Sequence, residues 1–121
     1  MKYIIILLLS VSIANAQDIK QSLIKFNQIR RAKKLPEMVY APQMQKSCDD
    51  YAKQIATKFE HSGCGTYECI AKIDSYSNED PILVFKYSAA HWGGLMDYWS
   101  QNICVGLYKK DGYTYVVVRT Y

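Results

Sequence analysis

Residues 88–121 read SAAHWGGLMDYWSQNICVGLYKKDGYTYVVVRTY, and this stretch decides the fold. Two apolar runs, residues 103–108 and 113–121, flank the dipeptide Asp111-Gly112. Asp-Gly tolerates the positive φ angles of a tight hairpin turn. The pattern therefore predicts a β-hairpin at the end of the chain. Before it, Ser88 is suited to cap a short helix that carries His91.

Two longer helices are predicted upstream. Residues 18–34 place Ile19, Leu23 and Phe26 at helical spacing, and Pro36 ends the segment. Residues 43–59 carry apolar side chains along one face at a period of 3.6. The order of helix, helix, irregular middle, short helix and hairpin indicates an α+β fold with helices covering an antiparallel sheet.

The middle of the chain is less regular. Residues 68–73 are consistent with a helical turn or with an edge segment of the sheet. Residues 82–85 are apolar and β-prone.

The first sixteen residues have the pattern of a secretory signal peptide. Lys2 gives a positive start, residues 3–9 form an apolar run, and Ala14-Asn15-Ala16 is a cleavage site of the A-x-A type. The apolar run is too short to span a bilayer. We therefore expect a signal peptide at 1–16, a single domain at 17–121, a secreted, extracellular product and no transmembrane segment.

The charge balance is mildly basic, with a formal net charge of +4 that falls to +3 once Lys2 is removed. The one dense basic cluster is Arg30, Arg31, Lys33 and Lys34. It is consistent with a patch for an anionic surface or with a solvated helix end, and charge runs more often form the latter. No nucleic-acid partner is predicted.

Four cysteines, an even number in a secreted chain, predict two disulfides with three possible pairings. They are Cys48, Cys64, Cys69 and Cys104. A local pair across the glycine-containing loop would join Cys64 to Cys69, leaving Cys48 to join Cys104. Structural zinc is the competing interpretation, but no C-x-x-C spacing is present.

The candidates for chemistry are two histidines and a few carboxylates. His61 follows the second helix, Glu68 lies seven residues later, Glu79 lies in the polar middle, and His91 precedes the hairpin. Two imidazoles with one or two carboxylates suit a divalent metal, or an acid/base pair that titrates near neutral pH. The sequence contains no Gly-rich phosphate loop and no Ser-His-Asp signature.

Several short segments, taken together, resemble the CAP superfamily, or SCP domain, of cysteine-rich secretory, venom allergen and plant pathogenesis-related proteins. The matching pieces, in chain order, are Phe26-Asn27-Gln28-Ile29-Arg30 with Lys34-Leu35-Pro36, residues 44–52, Phe59-Glu60-His61-Ser62, Tyr67-Glu68-Cys69-Ile70-Ala71, His91 with Ile103-Cys104-Val105-Gly106, and residues 113–117. The chain departs from the family's motifs in having Phe26 for histidine, Tyr67 and Cys69 for glycine and asparagine, and Cys104 for glycine.

The resemblance implies a three-layer α-β-α sandwich with a small antiparallel sheet and a cleft lined by two histidines and two glutamates. Carried over by position, these are His61, Glu68 and His91, with Glu79 as the remaining candidate for the second glutamate. The segment between Glu68 and His91 is shorter than is usual in the family, so the fold is expected to be trimmed there.

The resemblance favours a secreted CAP-type binding protein over an enzyme. It implies zinc or another divalent metal at His61 and His91, with Glu68 as a partner or orienting carboxylate. The expected partners are a small hydrophobic ligand, such as a lipid or sterol, or an extracellular protein in host interaction or defence. Two alternatives stay open: a hydrolase in which a metal- or histidine-activated water attacks, and a plain interaction module that uses the chain's many tyrosines.

Overall fold

A computed structural model of the chain describes residues 18–121. The predicted signal peptide at 1–16 lies outside this range. Within residues 18–121, no helix combines the length and the apolar character needed to cross a membrane.

Three α-helices and four strands make up the described part of the chain. In order they are α1 (18–32), β1 (Val39–Tyr40), α2 (Gln45–Ile55), β2 (Tyr67–Asp74), α3 (Ala89–Leu95), β3 (Asn102–Lys110) and β4 (Tyr113–Thr120). Short 3-10 helices at Pro42–Met44 and Leu83–Tyr87 connect them.

The predicted hairpin is confirmed. β3 and β4 pair antiparallel, and Lys110 lies opposite Tyr113 at the turn. Asp111 and Gly112 have φ angles of 53° and 81°. Positive φ at both central residues is the geometry that matches the right-handed twist of the flanking strands.

The sheet has the order β1-β3-β4-β2. β2 pairs with β4 antiparallel, whereas β1 pairs with β3 parallel at Asn102 and Ile103. The expectation of a purely antiparallel sheet is therefore corrected to a mixed sheet. The parallel strand, β1, is only two residues long. Residues 33–38 link it to the end of α1.

Helices cover both faces of the sheet, which confirms the α-β-α sandwich. On one face, Phe26 of α1 and Leu95 of α3 are fully buried against Val116 and Val118 of β4. Burial of a phenylalanine contributes about 1.5–3 kcal/mol. Phe26 also meets Trp92 edge to face, at 5.9 Å between ring centroids. Its aromatic packing accounts for the phenylalanine where the family motif has histidine.

The opposite face is covered by α2. Ala52 and Ile55 pack on Tyr115 and Val117, which alternate with the residues that face α1. At Gly106 the helix backbone approaches β3 directly, since a Cβ there would lie 2.2 Å from the Cys48 carbonyl oxygen. Only glycine permits this contact.

Two segments differ from the sequence-based prediction, and a third adopts one of its two predicted alternatives. The second helix ends at Ile55 rather than near residue 59, because the chain turns at residues 56–58 toward β2. Residues 68–73 belong to an edge strand, which is the second of their two predicted structures. The apolar residues 82–85 were interpreted as β-prone, but they enter the 3-10 helix Leu83–Tyr87 that anchors Phe85 in the core.

Candidate functional site

Glu68 is the centre of the polar cluster that the sequence analysis singled out. Its side chain is buried on the α2 side of β2, with 8% of the residue exposed. One carboxylate oxygen accepts hydrogen bonds from the Ser62 backbone N–H at 2.9 Å and lies 3.2 Å from His61 Nδ1. The other accepts from Ser62 Oγ at 2.7 Å and from Arg119 Nε at 2.9 Å. We call these four residues the Glu68 network.

Local chain geometry brings His61 and Ser62 to Glu68. They follow the turn after α2, and Gly63 and Gly65 adopt φ angles of 72° and 82° to redirect the chain into β2. Glycine takes these angles without the steric cost that a Cβ would add. His61 itself stays at the surface, with 55% of its side chain exposed.

Arg119 is the member of the network that the sequence analysis missed. It is the register partner of Glu68 across β2 and β4, so both side chains emerge on the same face. Its Nη1 donates to Ser47 Oγ at 3.0 Å, and its guanidinium lies 5.1 Å from the centre of the Tyr51 ring. The signal was present in the sequence, because a single arginine within an apolar strand must find a buried partner.

The surrounding donors set the protonation of Glu68. Burial alone raises the pKa of the carboxyl, but the hydrogen bonds from Ser62, Arg119 and His61 outweigh that effect and lower the pKa to about 2. Burial lowers the pKa of Arg119, and the bond to Glu68 more than restores it. Glu68 and Arg119 are therefore a charged pair at neutral pH.

His91 occupies a different environment from His61. Its Nδ1 lies 2.9 Å from Ser88 Oγ, and its ring packs on Phe85 at 5.6 Å between centroids. The Tyr67 hydroxyl donates to the His91 carbonyl at 2.8 Å, which ties α3 to the start of β2. Because side chains alternate along a strand, Tyr67 emerges on the α3 side and Glu68 on the α2 side.

Within residues 18–121, Glu79 forms no hydrogen bond or ion pair with either histidine. It is exposed in the turn before the 3-10 helix, and its backbone N–H donates to Ser77 Oγ at 3.4 Å.

The predicted metal ligands His61 and His91 have different hydrogen-bond partners, Glu68 and Ser88. Within residues 18–121, no group of three or more histidine, cysteine, aspartate or glutamate side chains is placed to hold an ion. The oxygens of Glu68 are already occupied by the donors of its network. Metal ligation by His61 and His91 stays a prediction from the family resemblance.

The cysteines also require a correction. All four are free thiols in the structure. Cys69 is fully buried in the core on the α3 side, whereas Cys64 is exposed with its sulfur 3.7 Å from Glu68 on the other side. The expected local Cys64–Cys69 disulfide is therefore wrong. Cys48 and Cys104 do meet, and a hydrogen bond between their thiols lowers the pKa of Cys48 and raises that of Cys104.

A second feature, a groove of about 730 Å³, lies between α1 and α2 beside β3. Apolar and aromatic side chains dominate its wall, and charged side chains border it. The lining residues are Ile19, Lys20, Leu23, Tyr40, Gln45, Asp49, Asp50, Lys53, Leu107 and Tyr108. Pockets of this size and composition are typical of small-molecule sites.

The groove lies over the open edge of β3, beyond the point where β1 ends. The backbone of alternate β3 residues faces outward there, as the bond from Ala41 N to Ile103 O shows. Side chains of α2 partly cover this edge: Gln45 Nε2 donates to Val105 O at 2.8 Å, and Leu107 N donates to Asp49 Oδ1 at 3.4 Å. These bonds satisfy strand groups that would otherwise pair with another chain.

The comparisons with known proteins agree with this fold. The sequence model of the cysteine-rich secretory protein family, CAP, matches residues 23–118. No curated protein matches the chain in sequence.

Among solved structures, an outer surface protein of Borrelia burgdorferi is similar to this chain. The two share 17% sequence identity with a TM-score of 0.69, over 86% of this chain and 92% of the Borrelia protein. At this identity the likeness concerns the fold. The family match spans most of the chain, from within α1 into β4 of the hairpin, so the chain belongs to the cysteine-rich secretory protein (CAP) family.

Proposed function

We propose that this chain is a secreted CAP-type binding protein that holds a small amphipathic ligand with a carboxylate head in the groove between α1 and α2. The observation that carries the proposal is the groove itself, with a volume of about 730 Å³ and a mainly apolar and aromatic wall. Such a wall suits an apolar body, and a few polar groups at its rim suit the head.

The unpaired charges at the rim favour an anionic head. Asp50 is already paired with Lys46 at 2.8 Å, and Asp49 accepts from Gln45 at 2.9 Å. By contrast, neither Lys20 nor Lys53 forms an ion pair with any residue of 18–121. Two free ammonium groups beside an apolar wall are complementary to a fatty carboxylate.

The Glu68 network supports a binding role over hydrolysis. A carboxyl with a pKa of about 2 is a poor general base near neutral pH. The Ser62 hydroxyl donates to Glu68 rather than to a histidine, and the Cys64 sulfur contacts Thr66 Oγ1 at 3.0 Å. In residues 18–121, no serine or cysteine is hydrogen-bonded to His61. Ser88 Oγ lies 2.9 Å from His91 Nδ1, but no carboxylate in this range is hydrogen-bonded to that imidazole to orient it as a base.

An extracellular location fits this role. The Borrelia protein of the same fold is described as an outer surface protein, and residues 1–16 of this chain have the pattern of a secretory signal. We infer that the mature chain functions outside the cytoplasm.

The proposal is tested with cis-parinaric acid, a polyene fatty acid whose fluorescence rises in an apolar site. We expect saturable binding by the wild-type protein. Leu23→Glu should lower the affinity at least about tenfold, or about 1.4 kcal/mol, because it places a charge in the groove. The neighbouring Ile24→Glu is the matched control, since Ile24 is 44% exposed and does not line the groove.

The charge preference is tested separately. Lys20→Glu/Lys53→Glu should weaken parinaric acid binding, whereas Lys25→Glu/Lys58→Glu, with the same net charge, should not. Dodecylamine, which carries the opposite head charge, should compete poorly. Absence of saturable binding, or equal effects of the groove variants and their controls, would contradict the proposed function.

A further inference from the structure

One end of the molecule is built from the end of α1 and the segment that follows α3. Arg30 is fully buried there and joins the two, since Nε donates to Pro36 O and Nη1 donates to Leu95 O, both at 2.8 Å. Val39 N donates to Gln101 O at 2.7 Å and fixes the start of β1 beside the same segment. Residues 30–39 and 95–101 thus form one continuous surface.

Three large apolar side chains on this surface are not packed into the core. Trp99 is 83% exposed, Val39 is 64% exposed and Tyr98 is 58% exposed. The rings of Tyr98 and Trp99 meet edge to face at 5.5 Å. Tryptophan and tyrosine have a large apolar body with a polar tip, a combination that suits the boundary between lipid headgroups and acyl chains.

The same end of the molecule also carries basic side chains. Arg31, Lys33 and Lys34 are all exposed, and of these only Arg31 is paired, with Glu37. Within residues 18–121, Lys33 and Lys34 form no ion pair. The nearby Asp97 accepts from the Ser100 backbone and hydroxyl, both at 2.9 Å, and keeps its negative charge, which acts on the buried Arg30. This end of the molecule therefore combines two unpaired lysines with exposed aromatic rings.

We propose that this surface, formed by Arg31, Lys33, Lys34, Val39, Tyr98 and Trp99, docks the protein on anionic lipid membranes. We call it the aromatic–basic end. The lysines attract the negative headgroups, and Trp99 with Tyr98 inserts at the interface, where apolar contact adds to the electrostatic attraction. A protein partner or a second copy of this chain would not require free positive charge around the rings, which is why a lipid surface is favoured. The inference is independent of the groove, which lies along the first half of α1.

Vesicle flotation tests the proposal with phosphatidylcholine vesicles that contain or lack phosphatidylglycerol. We expect the mature chain to bind the phosphatidylglycerol vesicles at low salt and to dissociate as the salt rises. Lys33→Glu/Lys34→Glu should lower the vesicle affinity at least about tenfold, given the usual contribution of each lysine near an anionic surface. The control Lys109→Glu/Lys110→Glu changes the net charge equally at the hairpin turn and should bind like the wild type.

The aromatic contribution has its own control and readout. Trp99→Ala/Tyr98→Ala should weaken vesicle binding, whereas Tyr76→Ala/Tyr87→Ala removes two tyrosines that are 90% and 83% exposed elsewhere and should not. In a Trp92→Phe variant, Trp99 is the remaining tryptophan of the two, and its emission should shift to the blue when vesicles are added. If this variant does not fold, fluorescence quenching by brominated lipids in the wild-type protein, compared with Trp99→Phe, gives the same information.

Three outcomes would overturn the inference. These are no binding to phosphatidylglycerol vesicles at low salt, equal loss of binding in both lysine pairs, and concentration-dependent self-association that Trp99→Ala abolishes without any vesicle binding. The last would identify a second copy of the chain as the occupant.

Discussion

Glu68 and Arg119 face each other across β2 and β4 as a buried ion pair, with Arg119 Nε 2.9 Å from Glu68 Oε2 and about 5% of each side chain exposed. The pair joins the edge strand to the centre of the sheet. Glu68 also accepts a hydrogen bond from Ser62 in the loop that follows α2, and Arg119 donates one to Ser47 of α2. The pair is therefore a structural tie between the sheet and its covering helix.

Removing one member of this pair should destabilise the protein strongly. Arg119→Met leaves the Glu68 carboxylate buried without its partner, and we expect the free energy of unfolding to fall by about 3–5 kcal/mol. Lys46→Met breaks the exposed pair with Asp50 and should have only a small effect, because solvent screens that pair. Urea unfolding measures the free energy of unfolding of both variants. Equal losses would show that the buried pair contributes no more than the exposed one.

Stability should depend on pH through Glu68. Its pKa is about 2 in the folded protein against an ordinary value of 4.5, so the folded state binds its proton more weakly than the unfolded state. The stabilisation, about 3 kcal/mol, is complete above pH 4.5 and is lost as the pH falls toward 2. Urea unfolding between these limits should show this loss in the wild type and a smaller one in Glu68→Gln. The same pH slope in both proteins would assign the effect to other groups.

Two glycine substitutions should have opposite effects on stability. Gly106→Ala places a Cβ 2.2 Å from the Cys48 carbonyl, so α2 must shift away from β3 and stability should fall. Gly93→Ala adds a methyl group in α3 with no atom within 4 Å, and alanine favours the helix by about 1 kcal/mol. Thermal unfolding should therefore lower Tm for the first variant and hold or raise it for the second. A neutral Gly106→Ala would mean that α2 is not packed against β3 as described.

The cysteines should differ in reactivity. Cys64 is exposed; partial burial raises its pKa, but hydrogen bonds from Ser62 and Thr66 lower it overall, so iodoacetamide should label it first in the native protein. Cys48, Cys69 and Cys104 are fully buried and should react only on unfolding. Under mild oxidation, peptide mapping should recover a disulfide between Cys48 and Cys104, whose thiols are in contact. A bridge between Cys64 and Cys69 would contradict the placement of these residues on opposite sides of β2.

Local sequence signals predicted the parts of the fold that local chemistry determines. Asp111-Gly112 specified the hairpin, and the contact of His61 with Glu68 was anticipated from the family motifs. The 3-10 helix at Leu83–Tyr87 was not predicted, because a short apolar run fits a strand or a buried turn equally well.

The remaining features depend on tertiary placement. Arg119 is fifty-one positions from Glu68, and only strand register makes them neighbours. The groove arises where α1, α2 and the open edge of β3 meet, so no single segment predicts it. Cys69 points into the core on the α3 side of β2, whereas Cys64, in the loop before β2, lies beside Glu68 on the other side. The length of the loop between the two cysteines does not reveal this separation.

The most direct test of the binding role is a ¹⁵N NMR titration of the mature protein with a long-chain fatty carboxylate. We expect chemical-shift changes at Ile19, Leu23, Lys53 and Leu107 around the groove, with little change at His61 and Glu68. Shifts confined to His61, Glu68 and His91, or no saturable shifts at all, would mean that the groove is not the binding site.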